Sequence, residues 1–410
     1  MYDIPSVLII APDYPFPPDD GHKLRNYHLF KNFVSGYSFD ILTFADERVS
    51  IDSEGMAAQL GTRFRNVRFV PSSTHKIVRL NKYENIKNIF SPSPLTIGSP
   101  YYSDEMAKVV NQEIMSLKYE LIYFSGFSMF LYNKLKLEKH TYIVDVIDSL
   151  SIYLKNDYIK EKNIIKKIKC YLNYMWAVNY EKIHHSRASN MILVSSIDAE
   201  QVKKHCPASN VWVIPNGVDT DYYVSKNKCK MTENILLFTG VMNYHPNNES
   251  IIYFIKEILP LVKRRVPNVK LLVAGKNPMP ELRRMATRLP GIDLTGYVAD
   301  MRPYFDKAAI YIAPMISGAG LKNKILEAWA MSKPVVAFPL SCDGIDAVDG
   351  YNALIAGSRE EFADKIVKVL SDPMQSDKLA KNGRKTVEKS YSWISKSKML
   401  EEVFSKVLNM

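Results

Sequence analysis

Short apolar runs rich in β-branched residues recur along the chain, and longer amphipathic stretches separate them. In the first half the runs are SVLIIA (6–11), FDILTF (39–44), VRFV (67–70), LIYF (121–124), YIVDVI (142–147), MILV (191–194) and VWVI (211–214). In the second half they are ILLFTG (235–240), VKLLVAG (269–275), IDLTG (292–296), IYIAP (310–314), PVVAF (334–338) and ALI (353–355). Runs this short and this uniformly apolar, alternating with helical patterns, predict parallel sheets covered by helices on both faces. They are too many for one ordinary open sheet. The turn IPNGVD (214–219) and the polar stretch VSKNKCKMTEN (224–234) mark the division, giving a first domain over 1–218 and a second over 219–393. Each half reads as a doubly wound α/β unit with its ligand beyond the carboxyl ends of the strands, the two units facing across a cleft.

Composition narrows the class. At 410 residues, 47% hydrophobic and 24% charged, the chain is globular in type. No window approaches the uninterrupted apolar length of a membrane span, and SVLII is too short for the core of a secretory signal, so a cytoplasmic chain is expected. Cys170, Cys206, Cys229 and Cys342 lack paired spacing and read as free thiols, not a disulfide frame or a zinc site. The net charge of +11 calls for an anionic partner: nucleic acid, a membrane surface or a phosphorylated substrate. No recognition motif accompanies the charge, so nucleic acid is not expected. The stretch 153–187 is helical and aromatic in pattern, with eight Lys or Arg against three acids over 155–187. Ile164, Ile165, Ile168, Leu172 and Met175 fall near helical spacing beside the lysines, with Tyr171, Tyr174 and Trp176 as amphipathic rings. Two readings stay open: a helix packed on its own domain with a solvated basic face, or a peripheral contact with an anionic membrane on its cytoplasmic side.

The densest chemistry lies in SGAGLKNKILEAWAMSKPVV (317–336). A helix start is already electropositive, so Lys322 and Lys324 there cost energy unless an anion binds. Gly318 and Gly320 permit the tight turn and close backbone approach that a phosphate needs. Glu327 follows Lys324 by three residues on the same helix face, which suits an anion beside a vicinal diol, as in a nucleoside diphosphate. Asp145 and Asp148 in VDVIDSLS are weighed as metal ligands, as acceptor-side groups or as loop caps. Asp13, Asp19 and Asp20 flank the first glycine turn as helix caps, and His22, His28 and His245 read as hydrogen-bonding residues near loops.

The segment PMISGAGLKNKILEAWAMSKPVVAF resembles the signature of glycosyltransferase family 4, retaining enzymes of the GT-B fold. Lys324, Leu326, Glu327, Ala328, Ala330, Pro334, Val335 and Val336 match its core. The likeness extends to ILVSSIDAEQV with VIPNGVDTDYY, LLFTGVMNYHPNNESIIYF, LLVAGKNP, LTGYVADMRPYFDKAAIYIAP and, at the front, APDYPFPPDDGHKLRNYHL. It implies an α/β GT-B chain whose last helix, 394–410, returns to the first domain. It implies transfer of a sugar from a UDP- or GDP-sugar to a lipid-linked or surface-polysaccharide precursor glycan, with retention and without a metal or other cofactor. By the same resemblance Lys324 would stabilise the diphosphate and Glu327 hold the ribose, both in catalysis. Gly240, Lys276, Val298, Gly318, Ala319, Gly320, Leu321 and Lys322 would complete the donor site. Gly21, Arg25, Ser125, Asp145 and Asp148 would lie on the acceptor side. Two departures are present: Ala319 stands where the family often has a second glutamate, and Ser125 with Gly126 where it commonly has a histidine. A sugar-nucleotide epimerase of the same fold and a donor-binding pseudoenzyme therefore stay open.

Overall fold

The computed structural model describes residues 4–18, 20–34, 36–45, 53–74, 76–77, 101–133, 140–225, 234–318 and 323–409. The chain forms two compact units, Met1–Pro215 with Lys396–Met410, and Asn216–Ser395.

The first unit is built on a seven-stranded parallel sheet. Edge to edge its strands are Phe64–Pro71, Ser38–Ala45, Ser6–Ile10, Leu121–Ser125, Tyr142–Ile147, Asn190–Leu193 and Asn210–Val213. Alternate side chains feed opposite faces. Leu8, Ile10, Leu42, Phe44, Ile122, Phe124 and Val144 enter one apolar cluster with Trp176 and Tyr180. On the other face Phe30, from helix Gly21–Lys31, meets Phe39 at 5.3 Å and Tyr123 at 4.9 Å between ring centroids. Phe404, near the chain's end, closes that cluster 5.4 Å from Phe33, and Ser397 Oγ donates to the Leu29 carbonyl. Burial on both faces is why these strands read as unbroken apolar runs.

The second unit carries a six-stranded parallel sheet. Its order is Ile292–Leu294, Lys270–Ala274, Ile235–Thr239, Ile310–Ala313, Val335–Ala337 and Leu354–Ile355. In each sheet the strand order reverses beside the unit's first strand, at Ser6–Ile10 and at Ile235–Thr239. Loops leaving such a strand and its later neighbour diverge to opposite faces and open a crevice. The crevices therefore fall beside Ala11 and Ser125 in one unit and beside Gly240 and Ala313 in the other.

One expected element is broken in two. The basic aromatic stretch is not continuously helical: helix Leu150–Lys160 ends, and Asn163 caps a new helix, Ile164–His184, by accepting from the Ile165 and Lys166 N–H groups. Glu161 Oε1 accepts from Asn163 N at 2.8 Å and fixes the turn. The two helices pack as a hairpin, Tyr158 lying 5.3 Å from Tyr171.

Candidate active site

In the second unit, the loop after Ile235–Thr239 and helix Asn323–Ala330 converge on a cavity of about 210 Å³. Phe238, Tyr244, Asn247, Tyr311, Ala313, Met315, Asn323, Lys324, Ile325 and Ser341 line it. Lys324, in the helix's first turn, extends its ammonium over the Phe238 ring at 5.8 Å and donates to Asn247 Oδ1 at 2.8 Å. Asn247 is buried, and its Nδ2 donates to the Val241 carbonyl at 2.9 Å. One carboxamide thus ties the cation to the loop that follows Gly240. A methyl on Gly240 would stand 2.5 Å from Lys324 Nζ and 2.8 Å from Asn247 Nδ2. The missing side chain is the space the ammonium occupies. Asn323 Oδ1 is buried with no hydrogen-bond partner among the described residues, leaving an acceptor at the cavity wall.

Glu327 lies one turn beyond Lys324. Burial pushes its carboxyl up to about 7, and the nearby Lys324 ammonium only partly offsets this. Burial above all, with a smaller contribution from the Glu327 charge, raises the phenols of Tyr223 and Tyr311, which places the carboxylate near both. Its carboxylate has no hydrogen-bond partner among the described residues, whereas Tyr311 Oη pairs with Thr239 Oγ1 at 3.2 Å. A partly desolvated carboxylate with open acceptor positions, beside a fixed ammonium, suits a ligand that brings hydroxyl donors and an anion together.

Two loops brace this floor. Gly240 N donates to the Ala274 carbonyl at 3.0 Å and Met242 N to the Lys276 carbonyl at 2.9 Å. A Cβ on Gly275 would lie 1.7 Å from the Gly240 carbonyl oxygen, so only glycine allows the approach. Gly318 has φ +102, again a glycine conformation, and the preceding Ser317 hydroxyl donates to Glu249 at 2.5 Å. Ala319, Gly320, Leu321 and Lys322 lie outside the described residues. Lys276 is exposed and Val298 half-buried, and neither lines the cavity.

The first unit places its candidates differently. Arg25 and Asp145 are both buried and paired, Nε to Oδ2 at 2.7 Å. Arg25 also donates to the Ile214 carbonyl at 3.0 Å, and Tyr123 Oη to Asp145 at 2.5 Å. Asp145 points inward from its strand and balances an arginine contributed by the first helix. Asp148 is exposed beyond that strand, and Gly21 opens the first helix behind its Asp20 cap. Among the described residues no three His, Cys, Asp or Glu side chains converge as metal ligands would.

Ser125 belongs to a closed ring. Its hydroxyl donates to Asn26 Oδ1 at 2.7 Å, Asn26 Nδ2 reaches His22 Nδ1 at 3.4 Å, and His22 Nε2 reaches Ser125 Oγ at 3.2 Å. The ring closes only with the His22 proton on Nε2, the neutral form, and burial lowers its pKa despite Asp145, Asp13 and Asp20. Sequence reading missed the ring and Asn247 alike. The helical offset of His22 from Asn26 was visible, but their partner lies about a hundred residues away.

Residues 233–372 match the model of the family described as Glycosyl transferases group 1. A Klebsiella pneumoniae protein described as an uncharacterized 44.6 kDa protein in the cps region is 23% identical over 94% of this chain and 96% of its own. A phosphatidyl-myo-inositol mannosyltransferase of Mycobacterium tuberculosis is 26% identical over 54% of this chain and 61% of its own. Among solved structures, Anabaena Alr3699/HepE in complex with UDP-glucose superposes with a TM-score of 0.64 at 15% identity, over 98% of this chain and 99% of that one. The cavity at Lys324 lies inside the matched segment, and the chain's two parallel-sheet α/β units have the GT-B fold of its structural neighbours.

Proposed function

We propose that the chain is a retaining glycosyltransferase of family 4, working in the cytoplasm on a membrane-borne acceptor. The second unit holds a UDP- or GDP-sugar, and the acceptor is a lipid-linked or surface-polysaccharide precursor glycan. The observation that carries this is the Lys324 ammonium, held by Asn247 in the space left by Gly240, one helical turn from the Glu327 carboxylate, which has no hydrogen-bond partner among the described residues. The structural neighbour's complex with UDP-glucose and the similarity to a phosphatidyl-myo-inositol mannosyltransferase support the reading.

In this reading Glu327 accepts hydrogen bonds from the ribose hydroxyls, and Lys324 stabilises the charge that grows on the diphosphate as the anomeric C–O bond breaks. The acceptor oxygen joins the anomeric carbon from the face the diphosphate leaves, and the leaving phosphate oxygen takes the acceptor's proton. Electrostatic stabilisation of the leaving group thereby replaces a dedicated basic side chain, and no metal is required. Incubation with a panel of UDP-, GDP- and ADP-sugars and lipid-linked glycans tests it. Acceptor-dependent nucleotide release is expected; isomerised sugar without acceptor would establish an epimerase, and binding without turnover a pseudoenzyme.

A further inference from the structure

The helical hairpin of the first unit carries an apolar ridge that its own domain does not cover. At its tip Ile164 and Ile165 are each 76% exposed and Ile168 58%. Ile159 at the end of the first helix, and Tyr171 and Leu172 further along the second, are also exposed. At roughly 100° per residue, positions 164, 165, 168 and 172 occupy one arc of about 100° on the second helix. Its lower half is different: Trp176, Ala177, Val178, Tyr180 and Glu181 are buried, so the same helix is rooted in the core below and bare above.

Charge identifies what covers the ridge. Over 159–172 there are five lysines, Lys160, Lys162, Lys166, Lys167 and Lys169, against Glu161 alone. A second copy docking through this patch would set one lysine cluster against its twin, because a two-fold interface pairs a surface with itself. An anionic bilayer surface takes both components at once, the isoleucines entering the headgroup boundary and the lysines pairing with lipid phosphates. No described helix is long and apolar enough to cross a membrane, so the contact is peripheral.

We infer that the ridge Ile159–Leu172 seats the chain on an anionic lipid surface. The root of the hairpin gives the seat a consequence. Glu181 accepts from Ser149 Oγ at 2.9 Å and from Ser151 N at 3.0 Å, and pairs with His205 Nδ1 at 3.0 Å. The helix that meets lipid at one end therefore holds, at its other end, the loop leaving the strand Tyr142–Ile147 at the carboxyl edge of the sheet. The inference rests on the proposed function only for the membrane-borne acceptor.

Full-length protein is sedimented with neutral phosphatidylcholine vesicles, and with vesicles containing about one-third phosphatidylglycerol, at about 50 mM and about 500 mM salt. Binding to anionic vesicles at low salt, weakened at high salt, is expected. A triple variant, Ile164→Ser with Ile165→Ser and Ile168→Ser, should bind at least about tenfold more weakly. Lys166→Ala with Lys169→Ala should lose about fivefold per lysine at low salt. Both should keep the wild-type melting temperature and turnover on a water-soluble acceptor. Absence of wild-type binding to anionic vesicles, equal binding to neutral ones, or undiminished binding by the triple variant overturns the inference. So does lipid-free self-association that the triple variant abolishes. Vesicle binding without any sugar transfer would support the seat while refuting the enzymatic reading.

Discussion

Replacing Glu327 by Gln keeps the side chain's shape and removes its charge. Burial lifts the carboxyl from 4.5 to about 7, so ionising it within the folded protein costs about 3 kcal/mol more than in the unfolded chain. The sign follows from proton counting. Between those two values the folded state holds a proton that the unfolded state releases, so stability is greatest below the ordinary carboxylate range and falls as pH rises through about 7. Wild-type and Glu327→Gln should therefore melt within about 2–3 °C of each other near pH 5. Near pH 8 the variant should melt higher, by roughly 5–10 °C for a unit of this size. Donor binding should move the other way. Charge-assisted hydrogen bonds from ribose hydroxyls are worth about 1.5–3 kcal/mol each, so the variant should bind UDP at least about tenfold more weakly at pH 8. Thermal melts from pH 5 to 8.5, with and without UDP, read both effects at once. A difference in melting temperature that does not change with pH, or an undiminished response to UDP, would refute the assignment of an ionised, ribose-holding carboxylate.

Other perturbations separate the cavity's parts. Asn247→Ala should release Lys324 from its fixed position and lower kcat up to about 100-fold, with a smaller change in KM, in steady-state assays. Gly275→Ala forces a backbone movement of the Gly240 loop and should cost more than about 3 kcal/mol, visible in a denaturant titration of the second unit's unfolding. Asp145→Asn leaves Arg25 buried without its counter-charge and should cost about 3–5 kcal/mol, while the paired change Asp145→Leu with Arg25→Met should cost less; thermal melts of the three proteins decide.

How much of this was legible in the chain depends on where each feature's cause lies. The sheet strands were readable because a strand buried on both faces has no polar side to break its run, as Val7, Leu8, Ile9 and Ile10 illustrate. Lys324 and Glu327 were readable because their relation is local, one turn of one helix. Asn247 was not: its value comes from meeting a lysine 77 positions away, and an asparagine near a helix start looks like any cap. The pairing of Asp145 was hidden for the same reason. Three residues from Asp148 it resembles half of a site, yet its partner Arg25 is 120 positions distant and fixes it inward. The break at Asn163 escaped because the apolar spacing continues across it, and only the capping asparagine marks the stop.

The Gly275 contact with the Gly240 carbonyl carries a lesson for re-engineering. Because those two connections interlock atom against atom, with Met242 hydrogen-bonded to Lys276 beside them, they constitute a single cassette despite lying on separate stretches of chain. A chimera that imports either connection alone from a related domain inherits a mismatch at the base of the cavity. One that imports both together keeps the seam intact, and has a sound starting point for altering which ligand the cavity accepts.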